Sequence, residues 1–222
     1  MTIHPTCEKI DEVISAYALP GTLTDKQPHG NGHINDTFLL TYDTPTGTRK
    51  YILQRMNHAI FKNPPALMEN VSHVTDYLRK VIIRRGGDPD RETLNVIRTA
   101  DDNVYYVDSS QNYWRMFLFI EDTICLEQVE STREFYDSAV AFGSFQQMLA
   151  DFPADTLHET IPNFHNTPSR FRALQKAVER DALGRAHLVQ EEIDFALSRE
   201  ADTHVLTDLL AKGELPLRVT HN

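Results

Sequence analysis

Apolar residues recur along the chain at two different spacings, and these spacings predict an order of helices and strands. Residues 6–18 carry apolar side chains at helical intervals, which predicts a short packing helix. Residues 37–44 and 50–57 are rich in β-branched and aromatic residues, which predicts two antiparallel strands. Between 66 and 85 every third or fourth residue is apolar, which predicts a long helix that ends at the glycine pair 86–87. Its predicted inner face consists of Leu67, Val71, Val74, Leu78 and Ile82.

Three further β-type runs follow this helix. Residues 94–99, 104–108 and 113–120 read as strands, and the sequence SSQN predicts a turn between the last two. The run 113–120, YWRMFLFI, is almost wholly apolar, as expected of a strand that is buried on both faces at the centre of a sheet. The first half of the chain is therefore predicted to form a sheet of about five strands with one inserted helix.

The β pattern largely ends after residue 123, and the second half of the chain reads as helical. A capping box, Ser131 to Glu134, predicts a helix that runs to Ala150. Its predicted inner face consists of Phe135, Ala139, Phe142 and Leu149. The further predicted elements are helices over 169–181, 186–200 and 201–211 and a short strand over 215–220. The fold class is therefore α+β, with a sheet lobe over 1–120, a hinge near 117–123 and a helical lobe over 121–222.

The charge balance of the chain limits the partners that it can bind. Lys and Arg number 22 and Asp and Glu number 32, which leaves a net charge of −10. This excess of acid disfavours nonspecific binding to nucleic acid or to an anionic membrane. The N-terminus has no signal-peptide core, and no apolar run is long enough to span a bilayer. Cys7 and Cys125 show no metal-site or disulfide-framework spacing, which fits a reducing cytoplasm.

A glycine-rich turn precedes the first predicted strand pair. Gly30 and Gly32 flank Asn31 within the sequence PHGNGHIND. Glycine allows positive φ and a close backbone approach, and consecutive N–H groups in such a turn suit an anion such as a nucleotide phosphate. On the glycines alone, a plain hairpin turn remains an open alternative. A dinucleotide fingerprint is excluded because the segment that follows reads as a strand rather than a helix.

Several linked motifs closely resemble those of the bacterial N-acetylhexosamine 1-kinases, which belong to the aminoglycoside and choline kinase-like phosphotransferases. These motifs are HGNGHIND, YILQRMN with FKNPPALMENV, YWRMFLFIED, FGSFQQML, ETIPNFHNT and LPLRVTHN. The resemblance covers essentially the whole chain and implies a protein-kinase-like fold with two lobes. It also implies ATP-dependent, magnesium-assisted phosphorylation of the anomeric hydroxyl of N-acetylglucosamine or N-acetylgalactosamine.

The resemblance also assigns roles to residues. Backbone groups near Leu118 and Ile120 would hold the adenine. The loop over the ATP phosphates would consist of Gly30, Asn31, Gly32, His33, Ile34 and Asn35. His165 and Arg170, in the loop region after residue 159, are candidates for contacts to the amino sugar.

The third predicted strand departs from the wider kinase pattern, in which a lysine follows the apolar residues and pairs with a helix glutamate. Here the sequence has Gln54 followed by Arg55. Strand alternation places these two side chains on opposite faces, so only one of them can point at phosphate. The helix offers Glu69 and Asn70 as partners, so a neutral Gln54 and Asn70 pair and an Arg55 and Glu69 pair both remain open.

The chain closes with His221 and Asn222, which in the resembling kinases begin the catalytic loop. The resemblance places the catalytic Asp one residue further on and the magnesium ligands beyond it. We therefore expect a polypeptide of these 222 residues to lack kinase turnover and to expose apolar surface on a truncated helical lobe. The sequence leaves the oligomeric state open.

Two other functions remain open at the level of sequence. The first is a related kinase that acts on another small alcohol, such as a different sugar, an amino alcohol or homoserine. The second is a noncatalytic nucleotide-binding or interaction module.

Overall fold

A computed structural model describes residues 7–30, 34–124, 126 and 128–220. Within these residues the chain forms two compact units, which we describe separately: residues up to Thr160 with Val219 and Thr220, and Ile161–Arg218. The architecture is α+β as predicted, with an antiparallel sheet and an inserted helix in the first half and helices after them. The division at residue 160 differs from the functional boundary predicted at residue 120, and the two predicted lobes remain a prediction.

The first unit contains a six-stranded antiparallel sheet. Its strands are β1 Thr22–Pro28, β2 Asp36–Thr44, β3 Gly47–Arg55, β4 Val96–Ile97, β5 Tyr106–Val107 and β6 Tyr113–Leu118. They are ordered β1-β2-β3-β6-β4, and β5 also pairs with β6. The central position predicted for the YWRMFLFI run is confirmed, since β6 pairs with three strands. The last three strands are each shorter than their predicted runs.

Helix α1, Cys7–Ser15, covers one face of this sheet. Its apolar positions recur at helical spacing, so Ile10, Val13 and Ile14 all point into the core. Alternation along the strands brings Leu40, Leu53 and their neighbours to the same face. The core on this face also contains Tyr17, Phe38, Tyr42, Tyr51, Trp114 and Met116.

Helix α2, Pro64–Arg84, is inserted between β3 and β4, and its ends follow local chemistry. The Asn63 side chain accepts a hydrogen bond from the Ala66 N–H at 3.2 Å, and proline occupies the first helical position. The helix is followed by Gly86 at φ 78°, a left-handed conformation that glycine tolerates without strain. The short helix α3, Pro89–Glu92, comes next.

The buried face of α2 is rotated from the predicted stripe. Met68, Ser72 and Thr75 are buried, whereas the predicted Leu67 and Val71 are only half-buried. Burial of the polar residues is possible because their hydroxyls find partners inside the helix. The Thr75 hydroxyl donates to the Val71 carbonyl at 2.8 Å. Farther along, the predicted Leu78 and Ile82 pack against Leu149 and Phe152 in a second apolar cluster.

Helix α4, Thr132–Met148, begins at the predicted capping box, in which Glu134 N–H donates to the Ser131 hydroxyl at 3.2 Å. The predicted inner face is wrong for most of its length. Phe135 is 69% exposed and Phe142 is 47% exposed, and only Leu149, just after the helix, is buried. Among the described residues, the apolar cluster at this helix involves its C-terminal end, and no residue within α4 itself is buried.

The second unit consists of α5 Thr167–Arg180, α6 Gln190–Leu197 and α7 Glu200–Ala211. Their order confirms the three predicted helices, with a short 3₁₀ turn, Ala186–Val189, before α6. The predicted strand over 215–220 is wrong, because these residues pair with no described strand and a strand needs a partner for its backbone groups. No helix in the described part of the chain has the length and apolar character needed to cross a membrane.

Candidate functional site

The glycine turn lies at the tip of the hairpin formed by β1 and β2. Strand pairing continues to the His29 N–H, which donates to the Thr37 carbonyl at 2.9 Å. Gly30 then turns the chain at φ 77°, and a Cβ built there would meet no atom within 4 Å. The predicted loop residues Asn31, Gly32 and His33 lie outside the described residues.

The far side of this loop is attached to the end of β3. The Asn35 side chain accepts a hydrogen bond from the Asn57 N–H at 3.0 Å, while Ile34 is 50% exposed. Both ends of the glycine loop are therefore held by the sheet. The loop lies next to the end of the strand that carries Gln54 and Arg55.

Arg55 belongs to the sheet face that it shares with Leu53, and it is already neutralised there. Its guanidinium forms an ion pair with Asp36, the residue directly opposite on β2, and its Nε donates to Asp36 Oδ2 at 2.6 Å. Asn112 also accepts from this guanidinium, at 3.5 Å. Arg55 therefore acts as a strand-to-strand tie in this structure.

Gln54 points to the opposite face of the sheet, where it connects two neighbouring strands. Its Nε2 donates to the Thr37 hydroxyl at 3.0 Å, and its Oε1 accepts from Arg115 Nε at 3.1 Å. These three residues are also direct register partners, since Gln54 lies opposite Thr37 on β2 and opposite Arg115 on β6. The glycine end of this face therefore carries a connected polar set.

Arg115 is a partly buried cation whose neighbours are all neutral. Its Nη1 lies 4.0 Å from the sulfur of Met68, and its guanidinium lies 5.1 Å from the centre of the Phe117 ring. No described carboxylate is within ion-pair distance of it. Burial lowers the pKa of Arg115 to about 10, which marks an environment that disfavours the positive charge.

Neither of the two strand–helix pairs suggested by the sequence is formed. Glu69 Oε2 lies 2.7 Å from His158 Nε2. Asn70 holds the backbone of the same residue, because its Nδ2 donates to the His158 carbonyl at 2.8 Å and its Oδ1 accepts the His158 N–H at 2.9 Å. Glu69 and Asn70 thus fasten the segment around His158 to α2, away from Gln54 and Arg55.

The predicted adenine segment follows β6. The Leu118 N–H donates to the Asn95 carbonyl at 3.0 Å, so this group is already used within the sheet. The Phe119 N–H donates to the Lys50 carbonyl at 3.0 Å. Ile120 makes no backbone–backbone hydrogen bond to the described residues, so its backbone groups are the ones that remain for a ligand.

Side chains around Phe119 form a small cluster at this end of the face. Lys50 Nζ lies 3.1 Å from Glu121 Oε2 and 5.7 Å from the centre of the Phe119 ring. The exposed His29 ring contacts the same ring edge-on, with 5.6 Å between the centres. His29, which directly precedes the glycine turn, therefore contacts the predicted adenine segment.

His165 and Arg170 belong to the second unit, where their contacts are local. The His165 ring packs edge-on against Phe164 at 4.7 Å between centres. Arg170 donates to the Phe164 carbonyl at 2.7 Å and lies over its ring. Arg170 thus holds the loop that leads into α5, and Asn166 caps that helix by accepting the Ser169 N–H at 2.9 Å.

His221 and Asn222, the predicted start of the catalytic loop, lie outside the described residues. Within the described ranges no group of three side chains from His, Cys, Asp and Glu is arranged to hold a metal ion. The magnesium implied by the motif resemblance stays a prediction.

Arg115 is the site residue that the sequence reasoning did not identify. The available signal was a single cation within the otherwise apolar run YWRMFLFI. A charge in a strand that is expected to be buried requires a partner or a ligand, and no acidic residue occurs within that run. The hydrogen bond to Gln54 depended on the pairing register of β3 with β6, which the sequence did not show.

No family model matches the chain. A solved structure to which the chain is similar is the crystal structure of spectinomycin phosphotransferase, APH(9)-Ia, in complex with ADP and spectinomycin. The sequences are 14% identical, the TM-score is 0.38, and the match covers 89% of this chain and 55% of that one. The chain thus spans about half the length of that protein. A likeness of this size establishes neither a shared family nor a shared activity.

Proposed function

We propose that this protein is a kinase-like phosphotransferase that uses ATP to phosphorylate the anomeric hydroxyl of an N-acetylhexosamine. The observation that carries the proposal is that one sheet face has a polar set beside the glycine turn and, at its other end, Ile52 and the Phe119 ring with the Lys50–Glu121 ion pair beside them. The motif resemblance described above names the acceptor class. The sheet face is the feature that favours nucleotide binding.

The two ends of this face match the two ends of a nucleotide. Thr37 and Gln54 lie at the glycine end, where an anionic phosphate chain would need hydrogen-bond donors. Leu39, Ile52 and Phe117 follow on the same face by strand alternation and register. Leu39 and Phe117 are buried, and the half-buried Ile52 offers apolar surface to a flat base. The step from Gln54 to Ile52 covers about 7 Å along the strand, so both parts fall within the length of one nucleotide.

The His29 ring lies against Phe119, where the base would pack. His29 is exposed and directly precedes Gly30, which has a positive φ and space around the position of a Cβ. Nucleotide binding would therefore displace the imidazole from Phe119 and bring the glycine turn over the phosphates.

Catalysis in this proposal depends on positioning and on charge stabilisation. Phosphoryl transfer needs little covalent help from the protein when donor and acceptor are held in line. The glycine turn and the Gln54 region would hold the donor, and an acceptor hydroxyl would approach from the exposed side of the phosphate chain. The amino-sugar acceptor is taken from the motif resemblance.

Calorimetric titration with ATP, ADP and adenosine tests the nucleotide part of the proposal. We expect ATP to bind, and we expect Gly30→Ala to weaken it because a side chain at φ 77° costs about 1 kcal/mol and hinders close approach of the turn. Gly47→Ala is the matched control, since Gly47 has φ 118° and open surroundings at the other hairpin turn. The absence of ATP binding, or equal effects of the two substitutions on ATP affinity, contradicts the proposed role of the glycine turn.

Phosphoryl transfer from labelled ATP to a panel of amino sugars tests the reaction. An anomeric phosphate is released by mild acid, whereas a phosphate ester of a primary alcohol resists this treatment. For a chain that includes the catalytic loop implied by the motif resemblance, we expect an acid-labile product from N-acetylglucosamine or N-acetylgalactosamine. An acid-stable product, or transfer only to amino alcohols, would replace the proposed acceptor with another one.

A further inference from the structure

Lys50 and Arg55 on β3 and Arg115 on β6 differ in their ion-pair partners. Arg55 is paired with Asp36, and Lys50 is paired with Glu121. Arg115 has no carboxylate partner among the described residues and is held by the Gln54 side chain and the Phe117 ring. Arg115 is therefore the one of these three whose charge is not compensated.

An uncompensated cation in a partly buried position is costly for the folded protein. Burial lowers the pKa of Arg115, and no nearby carboxylate offsets this effect. Arg55 is a structural tie whose charge is balanced by Asp36, whereas the Nε of Arg115 bonds only to the neutral amide oxygen of Gln54. Packing alone therefore does not account for a guanidinium at this position.

The guanidinium of Arg115 is only partly engaged. Its Nε is bound to Gln54 Oε1 and its Nη1 approaches Met68, whereas its Nη2 makes no hydrogen bond to the described residues. No completely buried side-chain polar atom of the described residues lacks a hydrogen-bond partner, so Nη2 is not completely buried. A donor is thus left free on the face that carries Thr37 and Gln54, beside the glycine turn.

We infer that Arg115 contacts the phosphate chain of the bound nucleotide and takes the place of the lysine that kinase-type sites carry on the third strand. This inference rests on the proposed function. Gln54 occupies the position on β3 where the kinase pattern has a lysine, but its side chain is neutral. Arg115 lies directly opposite Gln54 on β6. The positive charge is therefore on the neighbouring strand β6 instead of on β3. The Gln54 side chain orients the guanidinium of Arg115 by accepting a hydrogen bond from its Nε at 3.1 Å.

This assignment gives Gln54 and Arg115 separate tasks. Arg115 provides the charge that attracts phosphate, and its planar guanidinium can bond two phosphate oxygens. Gln54 holds this guanidinium in place and joins it to Thr37 on the next strand. A lysine placed at residue 54 should be able to restore the charge when Arg115 is removed, since the two positions are neighbours across the strand pair.

Titrations of ATP and adenosine into wild type, Arg115→Met and the double variant Arg115→Met/Gln54→Lys test the inference. Methionine keeps an unbranched apolar stem against Phe117 but removes the charge. We expect Arg115→Met to weaken ATP binding by about tenfold to a hundredfold and to leave adenosine binding unchanged, because a hydrogen bond to a charged group is lost. The double variant should regain part of the ATP affinity. Arg98→Gln, at an exposed arginine of the same unit, is the control.

The outcomes separate the inference from the proposed function. If wild type binds neither ligand, the proposed function fails. If wild type binds ATP and Arg115→Met binds it equally well, Arg115 does not contact phosphate and only the inference fails. A parallel loss of ATP and adenosine binding, together with a lower melting temperature, would show that Arg115 has a packing role and would likewise overturn the inference. A loss confined to ATP, with rescue by Gln54→Lys, supports it.

Discussion

Replacement of Asp108 should be among the most damaging changes in the first unit. Asp108 is 2% exposed and follows β5 at the turn that leads into β6. Its carboxylate accepts from the Ser110 N–H at 2.8 Å, the Asn112 N–H at 2.8 Å and the Trp114 Nε1–H at 2.8 Å. The Asn112 side-chain amide adds another bond at 2.9 Å. One carboxylate thus organises the turn and fixes the start of the strand that carries Arg115.

The cost of Asp108→Ala can be worked from these four donors. Trp114 is fully buried, so its N–H would lose its acceptor without gaining water, at a cost of about 1–3 kcal/mol. The other three donors lie where water can replace part of each bond, and together they add about 2 kcal/mol. We therefore expect Asp108→Ala to lower the free energy of unfolding by about 3–5 kcal/mol. Asp108→Asn keeps the shape but turns amide hydrogens towards donors, so it should lose somewhat less.

Urea unfolding provides the assay, and Trp114 is the only tryptophan of the chain. Its fluorescence reports on the Asp108 site, and circular dichroism reports on the whole chain. Asp101→Ala, at an exposed residue before another turn, is the matched control and should change stability by less than about 0.5 kcal/mol. A loss of under about 1 kcal/mol for Asp108→Ala would refute the hydrogen-bond accounting.

The same site predicts a pH dependence. Burial of Asp108 opposes ionisation, but the hydrogen bonds from Trp114, Asn112 and Ser110 outweigh it and lower the pKa below the ordinary 3.8. The carboxylate therefore contributes stability above that value and loses it as the pH falls through the lower folded-state pKa. The difference in stability between wild type and Asp108→Asn should be full at pH values above about 5 and should shrink below about 4. A difference that does not change with pH would contradict this.

Three further predictions address other parts of the first unit. Gly21→Ala should lower the melting temperature strongly, because a Cβ at φ 90° would collide with a backbone carbonyl. Gly143→Ala, in an open helical position, should raise the free energy of unfolding in urea by about 0.5–1 kcal/mol. Equal effects of the two substitutions on stability would contradict this reasoning. Glu12→Gln should lose stability near pH 7 and less near pH 4, since hydrogen bonds from the β5–β6 turn lower the Glu12 pKa below 4.5; a loss independent of pH would refute this. Asn70→Ala should speed hydrogen exchange at the His158 amide, measured by mass spectrometry, because that amide donates to Asn70; an unchanged rate would show that the bond does not hold the segment.

The sequence predicted the order of elements because that order depends on local signals. The cap at Ser131, the glycines after α2 and the alternation along β2 and β3 each act within a few residues. Such signals are visible without knowledge of distant partners. The α+β class and the inserted helix followed from them.

The exposed and buried faces were harder to predict because they depend on what packs where. Ser72 and Thr75 are buried in α2 because intrahelical bonds satisfy their hydroxyls, which an apolar count does not register. Phe135 is apolar and correctly spaced, yet the described residues that pack near α4 contact only the end of the helix. Hydrophobic spacing thus located the helices but not the neighbours that cover them.

The faces on which Gln54 and Arg55 lie were predictable, but their hydrogen-bond and ion-pair partners were not. Alternation correctly placed Gln54 and Arg55 on opposite faces. The partner of Arg55 is Asp36, the residue across from it on the neighbouring strand. The partner of Gln54 is Arg115, which lies 61 residues away in sequence. Contacts at that separation are set by strand register, and a single sequence contains no direct record of it.

Strand β6 pairs with β3 on one side and with β4 and β5 on the other, so its amides are held in place by three neighbours. Opening of β6 would require several strands to separate at once. We therefore expect the middle of the sheet to be rigid on the millisecond timescale. Arg115 belongs to this rigid central strand, whereas Gly30 follows the edge strand β1. Entry of a ligand should therefore broaden or shift backbone resonances at the edge and leave those of residues 114–117 sharp.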